Sequence, residues 1–193
     1  MDKKEALRYL GCHGAKPDAQ TEFLLEEAAV EIERVYVPKS IYREYRCSVN
    51  EEKNLIMIDE LHISSKSLVR NLQGCERVVV LAATIGPCVD RMIKKYSVTN
   101  LAKAAVVQAV GASYIESYVN EIEEEIKKEA CSRGLALRPR FSPGYGDFAL
   151  EYQKALFAML ECSKRIGITL TAGNLMIPSK SVTALIGLTQ ERK

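Results

Sequence analysis

The stretch "RPRFSPGYGDFALEYQ", residues 138–153, puts two arginines, two prolines and two glycines into its first nine residues. A tyrosine, an aspartate and the start of a helical pattern complete it. A plain connection needs no such constraint. Pro139 and Pro143 fix their own φ and restrict the residues before them, so little conformational entropy is lost in holding one shape. Gly144 admits positive φ and close approach by another group. Arg140 offers a planar fork that grips a carboxylate in bidentate fashion. Tyr145 offers a flat aromatic face and a hydroxyl, suited to a heteroaromatic base or a sulfonium cation. Together they fit a zwitterionic ligand with an aromatic part. The competing reading is a rigid loop with Arg140 tied to a local carboxylate, Asp147 or Glu151.

Working outward, residues 3–10 read as a short helical turn and 17–36 as a helix opened by Pro17 and Asp18 and closed by Pro38. "IYREYRCSV" and "NLIMIDELHI" alternate around the polar "NEEKN" and predict a β-hairpin. "SSKSLVRNLQGC" predicts a short helix with serine caps. "ERVVVLAATIG", 76–86, is a continuous apolar run suited to a buried central strand. Residues 86–97 predict a helix with Pro87 in its first turn. The longest helix is expected over 98–134, ending at Gly134. Its first half is apolar nearly all round and carries Gly111, Ala112 and Ser113. Its later run "EIEEEIKKE" reads as a solvated face or a docking surface, and Tyr114 and Tyr118 as packing residues. A short strand "LALRPR" leads into the 138–153 turn. "FALEYQKALFAMLECSKRIG" predicts an amphipathic helix, and "ITLT" and "SVTALIGLT" two short strands joined by "AGNLMIPSK". Helices and strands mix without regular βαβ alternation. The expected class is therefore α+β, a single domain with a mixed or antiparallel sheet packed by a long helix and shorter ones.

Composition excludes several function classes. Among 193 residues the net charge is only +2, so no field of one sign points to nucleic acid or an anionic membrane. The longest apolar run, 78–86, is about half the ~18 residues of a membrane span. "MDKKEALRYLGCHG" lacks the apolar core of a signal peptide, and a soluble, cytoplasmic protein is expected. The six cysteines are too widely spaced for a zinc or iron–sulfur site and read as free thiols, with Cys12–His13 a minor metal-corner candidate. No GxGxxG, P-loop or nucleophile elbow is present, and two histidines make a His-based triad a poor prospect. Thr84–Pro87 reads as an anion-accepting helix start or a tight turn. Lys180, in "PSKS", reads as an anion contact or as part of a turn into the last strand.

The turn has a further reading. "RFSPGYGDFALEYQ" resembles the RxxxGY turn of the activation (reactivation) domain of cobalamin-dependent methionine synthase. The likeness continues through "IGITLT" and "MIPSKSVTALIG", and upstream through "LAATIGPCVDRMI" and "AAVVQAVGASYIESYVNEIE". It is best over 75–188 and looser over the N-terminal third, where 1–35 forms a helical segment; one such domain is expected over 1–193.

The resemblance implies a domain that binds S-adenosylmethionine and supplies its methyl group when the cobalamin has been oxidised to cob(II)alamin, with an electron from flavodoxin or a similar donor. It assigns Arg140 to the methionyl carboxylate. Backbone at Ser142 and Gly144 would contact the ligand, and Tyr145 would stand near the sulfonium and corrin. A glutamate of the family's long helix binds the ligand amine; Glu116 is the candidate here, while direct alignment sets Ala112 at that place. No catalytic acid–base pair is implied, because the cobalt is the nucleophile and the sulfonium carries its own leaving group.

The sequence departs from the family in having no DxHxxG cobalamin motif; "DELHISS", 59–65, has the wrong spacing. The chain also ends soon after "ALIGLT", before the family's further strand with its ligand-contacting tyrosine. The implied protein is thus a stand-alone reactivation factor. It uses S-adenosylmethionine, holds no metal, and meets cobalamin only on a separate methionine synthase. The alternative is a non-catalytic module that binds a corrinoid protein without S-adenosylmethionine. A small-molecule methyltransferase is disfavoured by the absent glycine-rich nucleotide loop.

Overall fold

The computed structural model describes residues 2–12 and 17–190. Its centre is strand β4 (Arg77–Thr84), the apolar run of the sequence. Val79, Leu81 and Ala83 face one core, and Val78, Val80 and Ala82 face another. A strand apolar on both faces must be covered on both, and this one is.

The other strands are β1 (Lys39–Asn50), β2 (Leu55–Ile58), β3 (Leu61–Ser64), β5 (Leu135–Leu137), β6 (Thr169–Leu170), β7 (Met176–Ile177) and β8 (Ser181–Gln190). The main sheet runs β3-β2-β1-β4-β8-β5, every neighbouring pair antiparallel. The helices are α1 (Lys3–Tyr9), α2 (Ala19–Glu33), α3 (Lys66–Asn71), α4 (Cys88–Thr99), α5 (Leu101–Cys131), α6 (Gln153–Leu160) and α7 (Cys162–Arg165). Residues of α1, α2, α4 and α5 fill the core on one face of the sheet. Those of α3, α6 and α7, with Phe148, fill the other. The architecture is α+β, with an antiparallel sheet between two helical layers and a long helix along one of them.

Four elements differ from the sequence reading. The second arm of the hairpin is two strands, β2 and β3, because Asp59 adopts φ 48° and reverses the chain. The long helix starts at Leu101, where the Asn100 side chain accepts from Lys103 N–H, and residues 98–99 close α4 instead. The helix expected over 148–167 begins only after Ala149, with a 3₁₀ turn, and breaks at Glu161 in the left-handed conformation. The linker "AGNLMIPSK" contains β7, which pairs with β6 in a small second sheet.

Among the described residues no helix is long and apolar enough to cross a membrane. The six cysteines are free thiols; Cys47, Cys75 and Cys162 are buried, and burial pushes the Cys47 thiol up to about 12. His13, half of the suggested metal corner, lies outside the described residues.

Candidate functional site

The 138–153 turn is braced by both neighbouring layers. Arg138 N–H donates to Gly187 O, and Phe141 exchanges backbone hydrogen bonds with Leu185, so the turn rides on β8. Asn71 donates to Pro139 O at 3.0 Å. Asp147 sits at the start of α3, accepting from Ser65 Oγ at 2.7 Å and from the backbone N–H of Lys66 and Ser67. The Ser65 hydroxyl first, then those N–H groups, hold its carboxyl well below the usual carboxylate range. Inside the bend, Gly144 N–H donates to Phe148 O at 2.7 Å. Gly144 and Gly146 adopt φ 93° and 56°, a region costly to L side chains. A Cβ on Gly146 would lie 2.9 Å from Ser67 Oγ, so the bend approaches α3 closely. Phe148 is fully buried between Phe141 and Tyr152.

This bracing leaves Arg140 pointing at α5, with its partners one and two turns apart on one stripe. Nη2 donates to Glu116 Oε2 at 2.6 Å and Nη1 to Asn120 Oδ1 at 2.7 Å. Nη1 also pairs with Glu123. The local carboxylates anticipated from sequence, Asp147 and Glu151, are not the partners: Asp147 is committed to α3, and the bend turns Arg140 the other way. Glu123 likewise leaves the solvated face assigned to it.

Beside this cluster lies a cleft of about 810 Å³. Glu116, Arg140, Ser142 and Tyr145 line it together. Gly144 does not; its α-carbon faces Leu150. Tyr145 is 69% exposed, and the exposed Leu175 lines the same cleft. The inner wall holds residues the sequence reading missed. Thr183 Oγ1 donates to Gln153 Oε1 at 3.0 Å, and Gln153 Nε2 donates to Asn174 O at 3.2 Å. All three residues are buried. One signal was available: Gln153 occupies the apolar stripe of α6 with Leu156, Phe157 and Leu160, where a polar side chain needs a partner.

Thr84–Pro87 forms a tight turn: Thr84 Oγ1 accepts from Gly86 N–H and from Ser181 Oγ. Asp90, in the first turn of α4, accepts from Ser179 N–H and Oγ. Lys180 buries its stem against Gly111, whose small size makes the room; an added Cβ would lie 3.2 Å from Lys180 Cε. Burial pushes the Lys180 ammonium down, partly offset by Asp90. Tyr114 donates to Glu33 and Tyr118 to Ser40, as packing residues do. Among the described residues no three His, Cys, Asp or Glu side chains gather as a metal site requires.

The chain is an α+β domain with a cleft beside a braced arginine turn. Its fold is that of the MetH reactivation domain. The crystal structure of that domain bound to AdoHcy superposes with a TM-score of 0.71, over 98% of this chain and 74% of that one, at 14% identity. No protein-family model and no curated protein sequence matches the chain.

Proposed function

We propose that the cleft binds S-adenosylmethionine and that the chain serves as a reactivation factor for a separate cobalamin-dependent methionine synthase. The observation that carries this reading is the convergence of Arg140, Ser142, Tyr145 and Glu116 on one cavity of about 810 Å³, within the size range of small-molecule sites. The solved domain of the same fold is one bound to AdoHcy, which supports an adenosyl ligand here.

Charge supports it too. Arg140 carries one positive charge, and Glu116 and Glu123 two negative ones, so the cluster is net negative. S-adenosylmethionine, with ammonium, sulfonium and carboxylate, is net positive. Three of the five guanidinium N–H groups are engaged, leaving Nε–H and one Nη2–H for the ligand carboxylate. Glu116 takes the ammonium, and the Tyr145 ring offers its face to the sulfonium. The chain's own work is binding and orientation; the cobalamin belongs to the partner, and the electron to flavodoxin or a similar donor.

The test has two steps. Calorimetry with S-adenosylmethionine is expected to show one site, weakened in Glu116→Gln. A synthase lacking its own reactivation domain and trapped as cob(II)alamin is then expected to regain activity only with this protein, S-adenosylmethionine and a reductant. Absence of binding heat removes the proposal. One observation favours the second reading, a corrinoid-protein module that does not use S-adenosylmethionine: Arg140 is already held by three side chains. Intact docking to the synthase without ligand binding would establish that reading.

A further inference from the structure

The inner wall of the cleft carries an unexplained polar atom. Asn174 is 7% exposed and lines the cavity, and its Oδ1 has no hydrogen-bond partner among the described residues. A buried carbonyl oxygen without a donor is destabilising and calls for a reason. Asparagine often closes its own turn with its side chain. Here the turn is closed without it. Thr171 Oγ1 accepts from Leu175 N–H, Thr171 N–H donates to Leu175 O, and Asn174 N–H donates to Thr171 O. The backbone at Asn174 is fixed instead by Gln153, whose amide spans from Asn174 O to Thr183 on β8. The wall therefore fixes the backbone of a cavity-lining residue whose carboxamide oxygen is closed off from solvent and left unpaired, so the carboxamide must turn to present it.

We propose that Asn174 reads the base of the ligand, pairing its carboxamide with the amino edge of adenine. Oδ1 accepts from the 6-amino group while Nδ2 donates to N7 on the same edge of the base. This is the bidentate match between asparagine and adenine that a 6-oxopurine cannot make. The oxygen has no hydrogen bond to break when the carboxamide rotates to meet the base. Gln153 and Thr183 are positioning residues: their polar atoms are already paired with each other and with the Asn174 carbonyl. The inference rests on the adenosyl ligand proposed above and assigns a role to a cleft residue that the proposed amino-acid contacts do not use.

The test is calorimetry of the full chain with S-adenosylhomocysteine, S-inosylhomocysteine, adenosine and inosine. The parent is expected to prefer the adenosyl compound over the inosyl one by about tenfold to a hundredfold. Asn174→Gly keeps the backbone at ease, since the residue stands at φ 61°, and is expected to bring the two within about threefold. Asn174→Asp keeps the shape and the acceptor but loses both donors, and is expected to fall between. Thermal unfolding confirms that each variant is folded; a purely structural asparagine would change the melting point and leave the adenosyl-to-inosyl ratio alone. Equal affinities in the parent, or an unchanged ratio in both variants, overturn the proposal. Adenosine preferred over inosine in an Asn174-dependent way, with no gain from the homocysteine part, keeps this proposal and removes the amino-acid end of the site. Tight S-adenosylhomocysteine binding indifferent to the 6-substituent does the reverse. Binding of none of the four removes both.

Discussion

Replacing Arg140 by methionine separates brace from grip. The substitution keeps an apolar stem and deletes three hydrogen bonds, to Glu116, Asn120 and Glu123. Hydrogen bonds to charged groups contribute about 1.5–3 kcal/mol when buried, and exposed ion pairs about 0.2–1. The arginine side chain is 27% exposed and the two carboxylates 30% and 22%, so each contact falls between those limits, near ~1 kcal/mol. Glu116 and Glu123, left without their cation, stand about 10 Å apart along α5, and their repulsion adds a few tenths of a kcal/mol. The expected loss is about 3 kcal/mol, which for a chain of this size lowers the melting temperature by about 6–12 °C. Thermal unfolding at low and at 1 M salt is the assay. Screening is expected to shrink the gap between parent and variant at high salt. Glu123→Gln is expected to lose about 1 kcal/mol of stability and to weaken ligand affinity less than Arg140→Met, because Glu123 lies outside the cleft lining. A melting point for Arg140→Met within 1 °C of the parent, unchanged by salt, would refute the bracing role. Equal ligand loss in Arg140→Met and Glu123→Gln would refute the division of labour.

Gly187→Ala is expected to destabilise by about 1–3 kcal/mol in urea unfolding, since its Cβ would lie 2.7 Å from both Cys75 Sγ and Leu72 Cδ2, two buried side chains. Lys180→Met is expected to raise stability at neutral pH. Burial sets the folded pKa of Lys180 below its unfolded value, so the unfolded chain binds more protons between the two, and parent stability climbs as pH rises through that window. Urea titrations from pH 7 to 10 should show the climb in the parent and lose it in the variant. Asp147→Asn is expected to weaken the parent's fold at pH 7, by a margin that narrows as the pH falls below the unfolded carboxylate value. The folded carboxyl pKa is depressed, so its contribution is whole above the unfolded carboxylate value and fades as pH falls towards the folded one. Unfolding of both proteins between pH 3 and 7 checks this.

What the sequence made legible was set by local chemistry. β4 was plain because an apolar run with no alternation must be covered on both faces. The α5 cap at Asn100 was present as a residue type that favours helix starts, but it was buried in a pattern helical on either side. The break at Glu161 was illegible: glutamate is not a left-handed residue by preference, and its φ of 53° is imposed by the turn from α6 into α7. The same holds at the site. Arg140, Gly144 and Tyr145 stood out because the proline–glycine bend marks itself, and Ser142 through the family resemblance. The partners of Arg140 did not, since Glu116 and Glu123 lie 24 and 17 residues away and reach it only when α5 crosses behind the turn. Asn174 sat in a linker whose composition signals a turn, and its position on a cavity wall depends on Gln153 bridging to β8.

That Arg140 is already engaged need not compete with a ligand, because of how its contacts are distributed. Nη1 meets Asn120 and Glu123 on the side away from the cavity, and only Nη2 meets a cleft-lining carboxylate, Glu116. The Glu123 end neutralises the guanidinium and fixes its plane, so little side-chain entropy remains to be lost when a ligand arrives. Glu116, the cavity-lining carboxylate of the pair, would on the proposed reading favour a cationic centre over a second anion. An arginine standing alone on the same bend would make the opposite choice. On the proposed reading, the acidic stripe of α5, outnumbering the arginine two to one, would favour a zwitterion with an added positive charge over a simple carboxylate.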